Sequence, residues 1–158
     1  MANTMRWRYG ETNPVVLPVA SATVIEIGDL VYLDTTAKPA GDLTYGASLA
    51  ATQEAFHDSF VGVAMQQSRA GDTQDIRVAT TGVFEFACAS ATFDVGARIG
   101  VDDNAGPSAL LNQQVIAVNN ANPELSIGYC AKRVNPAGTS VLVDVIGTVT
   151  HAGPQAAA

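Results

Sequence analysis

Two stretches of this chain repeat one another, and any fold it adopts has to accommodate both. Val24–Asp34 places apolar residues on both sides of Gly28-Asp29 and closes on an acid. Sixty-eight positions later, Thr92–Asp102 puts Gly96 where Gly28 stood and Asp102 where Asp34 stood, with most apolar positions retained. The echo continues: Gly128 follows Gly62, Gly138 follows Gly71, and Gly147 follows Gly82, at offsets of 65 to 67. Such constant spacing predicts two copies of a β-unit of roughly sixty residues.

Short runs of β-branched and aromatic residues between Gly, Pro, Asn and Asp clusters give the strand pattern. Strands are expected at Ala22–Ile27, Leu30–Asp34, Phe60–Gln66, Ile76–Ala79 and Val83–Ala87 in the first copy. The second copy should carry them in the two arms of Thr92–Asp102 on either side of Gly96, and at Val115–Val118, Leu125–Ala131 and Val141–Ile146. Thr35–Thr44, Arg69–Thr73, Asp103–Pro107, Asn119–Pro123 and Pro136–Thr139 read as loops or turns. Ala47–His57 has no proline, favours helix, and puts Leu49, Gln53 and Phe56 on one face, so one short helix is expected in the first copy only.

The reading is an all-β, compact, barrel-like domain built from two β-repeats, with one short helix and an extended N-terminal arm. The arm is expected over residues 1–20, the domain over 21–150 (repeats about 23–87 and 91–149), and a flexible tail over 151–158. The prolines Pro14 and Pro18 keep the arm extended. Arg6, Trp7, Arg8 and Tyr9 alternate cations with aromatics, residue types favoured where a chain anchors on another protein. Such an arm either docks on a partner or folds back over the mouth of its own barrel.

Charge and composition exclude several function classes. Only 15% of the 158 residues are charged and the formal net charge is −7, which argues against non-specific nucleic-acid binding. No apolar run is long enough for a membrane span, and the start lacks a signal-peptide core. Cys88 and Cys130 sit in strand-like runs and read as buried free thiols, in keeping with synthesis in a reducing cytoplasm. No cofactor or metal is expected: the two histidines and two cysteines lie far apart, and Asp102–Gly106 has the composition of a hairpin turn. His57-Asp58 is a helix-end pair whose side chains diverge, and His151 sits in the tail. With no nucleophile elbow, phosphate loop or paired carboxylates, the chain is not expected to be an enzyme.

Four motifs resemble a known family. Ile25–Asp34, Phe60–Ala64, Ala70–Thr73 and Ile76–Val83 are similar to segments of the capsid cement or decoration proteins of tailed bacteriophages, and the similarity extends over Thr23–Val149. That resemblance implies a structural virion protein made in the host cytoplasm, bound to the outside of the capsid and bridging coat subunits. It further implies a homotrimer or similar ring, with the major capsid protein as partner and a terminal arm touching coat subunits. Arg6, Trp7, Arg8, Tyr9 and Pro14 are then the expected contact residues. Ala47–His57 and the Trp-Arg-rich start lie outside the shared motifs. The alternative is a carbohydrate- or receptor-binding module on a virion or cell surface, which needs an aromatic-lined groove; the one Trp, 4 Tyr and 5 Phe fall largely in strand cores.

Overall fold

Gly62 and Gly128 explain much of the architecture. A Cβ at Gly62 would overlap the Ala79 carbonyl oxygen, and one at Gly128 would overlap that of Asp144. At both places a neighbouring strand passes too close for any side chain. The computed structural model describes residues 3–151; the expected tail beyond His151 lies outside them.

Eleven strands are described: β1 Trp7–Tyr9, β2 Val15–Leu17, β3 Leu30–Asp34, β4 Thr36–Pro39, β5 Phe60–Ala64, β6 Ile76–Ala79, β7 Thr81–Phe93, β8 Arg98–Asp103, β9 Leu110–Ala117, β10 Gly128–Cys130 and β11 Val134–Ile146. Helix α1 spans Leu49–Ser59 and the single turn α2 spans Thr148–His151. One sheet runs β2-β6-β5-β3-β4 and the other β7-β11-β10-β8-β9, with β1 added to β7. The second closes into a five-stranded barrel because β9 also pairs with β7, Ala87 against Gln114 and Cys88 against Val115. The first is drawn together by one bond between its ends, from Ala37 N–H to the Pro18 carbonyl at 2.9 Å.

The sheets match in register as well as in order. Leu30 faces Val63 and Val31 faces Gly62 across β3–β5; Arg98 faces Tyr129 and Ile99 faces Gly128 across β8–β10. Val15 and Leu17 stand opposite Val78 and Ile76, as Phe84 and Phe86 stand opposite Val143 and Val141. The inward positions form two cores. Val31, Val61, Ala64, Ile76 and Val78 fill the first unit, and Ile99, Ile127, Cys130, Val141 and Val143 take the corresponding places in the second. The other face of the first sheet, with Leu30, Tyr32, Val63 and Ala79, belongs to the larger core shared with the second barrel. Burial on both faces is why Phe60–Ala64 reads as a continuous apolar run.

Helix α1 is wedged between the units. Ser48 caps it, its hydroxyl accepting from Ala51 N–H at 3.2 Å, and the buried face is Thr52, Gln53, Phe56 and His57. Phe56 packs against Tyr32 and Phe60 with ring centroids 6.0 and 5.3 Å apart. Burying Phe56 and Phe60 contributes about 2–3 kcal/mol each before ordering costs. On the other side, Gln53 Nε2 donates to the Val101 carbonyl at 2.8 Å, satisfying a buried amide.

Three local expectations fail. Ala22–Ile27 is no strand: only Ile25 bridges to Ser68, because the Asp29 carboxylate takes the Glu26 N–H and winds the chain into a turn. Thr35–Thr44 is not a loop. Thr35 turns the chain alone at φ 62°, so Thr36–Pro39 pairs straight back on β3, and Ala40–Asp42 forms a 3₁₀ turn. Pro39 ends an edge strand, where its missing N–H costs least. Pro136–Thr139 lies inside β11, where register shifts against β7 on either side of Gly138 absorb it as a bulge.

Thr80 and Thr81 separate the two units. Thr80 N–H donates to Thr12 O at 2.8 Å, Thr80 Oγ1 donates to Asn13 O at 2.6 Å, and Gly147 N–H donates to Thr80 O at 2.7 Å. The N-terminal segment and the start of α2 therefore meet at the seam.

Candidate docking surface

The N-terminal segment is extended, and it is laid on its own protein. Thr4 N–H donates to the Ile27 carbonyl at 2.9 Å, and Glu85 N–H donates to the Arg6 carbonyl at 2.9 Å. Further along, β1 pairs with β7 and β2 with β6. Arg6 is the fastening. Its Nε donates to Gln113 Oε1 at 2.8 Å, its Nη1 to the Glu85 carbonyl at 3.1 Å, and its guanidinium lies 5.8 Å from the centre of the Phe86 ring. Gln113 is fully buried and passes the contact on, Nε2 donating to Asp29 Oδ1 at 2.8 Å. One chain of bonds thus ties the N-terminal segment to both units. Desolvation lowers the Arg6 pKa, with the charge of Arg8 adding to the effect, and burial raises that of Asp29.

The remaining predicted contact residues point elsewhere. Trp7 is 41% exposed, with Nε1 donating to the Gly10 carbonyl at 3.0 Å, and Tyr9 is 51% exposed. Met5 beside them is also exposed. Arg8 forms a 2.8 Å ion pair with Glu85, both partners reaching solvent. Pro14 is exposed, but it precedes β2 in the other sheet and is not part of the β1 group. The structure therefore divides the five predicted residues: Trp7, Arg8 and Tyr9 share one outer strand, Arg6 turns inward, and Pro14 stands apart. Sequence reasoning missed Gln113, Glu85 and Met5. The hydrophobicity of Met5 was a usable signal, whereas nothing around Gln113 marks a partner at Asp29.

His57 lies at the end of α1, as its sequence position led one to expect, whereas His151 does not lie where the sequence put it. His57 is buried, its Nδ1 2.6 Å from the Ser126 carbonyl; a carbonyl only accepts, so Nδ1 carries the proton. His151 is not in a loose tail but closes α2, its Nε2 3.0 Å from Thr80 Oγ1. Cys88 and Cys130 are free and buried, and burial raises both thiol pKa values. Among the described residues no three His, Cys, Asp or Glu side chains group as metal ligands, and no helix is long and apolar enough to cross a membrane.

A family model described as phage cement protein matches residues 39–145, well over half of the chain. No curated protein and no solved structure matches. The matched span takes in α1, β5, β6 and nearly all of the second unit, and leaves β2, β3 and the exposed aromatic strand β1 outside it.

Proposed function

The chain belongs to the phage cement protein family, a family of virion structural proteins, and from that membership we propose that it binds the outer surface of a capsid and bridges neighbouring coat subunits. The contact surface in this reading is the β1 strand. Trp7 and Tyr9 are large aromatic side chains left in solvent on a segment that Arg6 and Thr12 hold in place, and that single observation carries the reading. A pre-ordered aromatic anchor loses little entropy when a partner covers it. Arg8 lends the strand a positive charge on an otherwise acidic protein, although Glu85 already pairs with it. Pro14 and the exposed Val16 offer a second, lesser contact near the first unit.

A homotrimer fits the mechanical role, because several modest contacts on one assembly combine into lasting attachment. Opening the shell then requires breaking the bridges as well as the coat contacts.

The test is a pull-down on purified undecorated heads, with Trp7→Ala and Tyr9→Ala combined in one variant. A buried aromatic anchor is worth about 2 kcal/mol or more, so occupancy should fall at least tenfold while the melting temperature stays within a few degrees. Normal occupancy by the double variant would overturn the assignment of β1. Deleting residues 1–12 is a poorer test, because Arg6 and Thr12 belong to the fold and their loss lowers stability directly.

A further inference from the structure

A cleft of about 200 Å³ opens where the end of α1, the β8–β10 pair and α2 meet. His57, Arg98, Tyr129, Ile146 and His151 line it, bringing both histidines of the chain together with an arginine. Arg98 and Tyr129 face each other across β8–β10. The guanidinium sits 5.0 Å from the ring centre, with Nη1 donating to the phenol oxygen at 3.1 Å and Nε to the Asn120 carbonyl at 3.1 Å. A guanidinium has five N–H donors, so this platform holds the group flat and leaves further donors for a ligand. The accessible apolar part of the lining is Ile146, a large aliphatic residue in solvent, beside the buried Ile127.

Comparison of the two units sharpens the point. Leu30 and Val63 occupy the positions of Arg98 and Tyr129 in the first unit, and both are fully buried in the shared core. The second unit presents a cation on an aromatic ring where the first presents a covered aliphatic pair. A carboxylate already responds to this neighbourhood. Glu124 beside the cleft is held below its usual pKa, chiefly by the Asn122 amide and also by the charges of His57 and Arg98. On a chain of net charge −7, Arg98 is the one formal charge in this lining when the histidines are counted neutral, and it favours an anionic occupant.

We propose that this cleft receives an acidic, aliphatic peptide segment of a partner protein, with a carboxylate against Arg98 and the histidines and an apolar side chain against Ile146. The volume suits about one carboxylate and one aliphatic side chain. The inference rests on the cleft's own chemistry and stands apart from attachment through β1.

The experiment is an NMR titration of the full chain with the peptide acetyl-Ala-Glu-Leu-Ala-amide and its Gln counterpart. The Glu peptide should shift the Arg98 Nε–H signal and the His57 and His151 ring signals, saturating at about tenfold lower concentration than the Gln peptide, as expected for a charge-assisted contact. Arg98→Gln should abolish that preference. Ile146→Ala, at an exposed position that leaves the core intact, should weaken binding of the Glu peptide about threefold or more. Equal response to both peptides, shifts confined to residues outside the cleft, or unchanged binding by folded Arg98→Gln would each overturn the proposal.

Discussion

Single residues hold the units of this protein to each other, and Tyr45 is an instance that can be measured. Its hydroxyl donates to Asp103 Oδ2 at 2.7 Å, linking the loop before α1 to the end of β8. A carboxylate accepting that proton stabilises the neutral phenol, and the Tyr45 pKa is pushed up to about 12, with the hydrogen bond the leading cause. Asp103→Asn should therefore move the Tyr45 midpoint down towards the ordinary tyrosine value near 10. The ring carbon bearing the hydroxyl, followed by NMR as pH rises, reads this directly; an unchanged midpoint in Asp103→Asn would refute the link. Residue-level bonds of this kind were the least legible part of the sequence. Neither Tyr45–Asp103 nor the Arg6–Gln113–Asp29 chain lies within one element, and no local periodicity marks a polar partner tens of residues away.

At the scale of elements, legibility followed the glycines. Gly62 and Gly128 are fixed by the approach of a neighbouring carbonyl, so they stayed in step and made the echo readable. Gly62→Ala and Gly128→Ala should each cost on the order of 2–4 kcal/mol in urea unfolding, because the added methyl displaces a backbone carbonyl and not a flexible side chain. Gly106→Ala, with open space around its Cβ position, should be nearly neutral. Wild-type stability in the Gly62 and Gly128 variants would mean that the strands can part without penalty. Elements without such a constraint were hidden. β2 and the start of β7 correspond in the two sheets, yet Val15–Leu17 and Phe84–Phe86 share only their hydrophobicity. β4 was obscured by Lys38-Pro39-Ala40-Gly41-Asp42, a turn-like composition that the structure divides between a short edge strand and a 3₁₀ turn. Helix α1 was legible because capping, composition and the Gln53–Phe56 face all agreed.

On the scale of the whole molecule, the two units are not independent parts. Leu30, Tyr32, Phe60, Val63 and Ala79 of the first unit and Phe84, Phe86, Ile99 and Val145 of the second share one core, with Phe56 of α1 among them. The described domain should therefore unfold in a single cooperative transition, with the calorimetric enthalpy equal to the van't Hoff enthalpy. Two resolved heat-absorption peaks would show that the units melt separately. The seam at Thr80-Thr81 has a further consequence when the molecule is considered as an object under tension. Both the N-terminal segment and the turn entering α2 are fastened to this one point in the middle of the chain. A pull arriving through the exposed β1 strand bears on its pairing with β7 and on the Arg6 and Thr12 ties on either side of it. The protein is then a strap buckled at its midpoint: a load on one end is shared between the edge of one half and the join between the two.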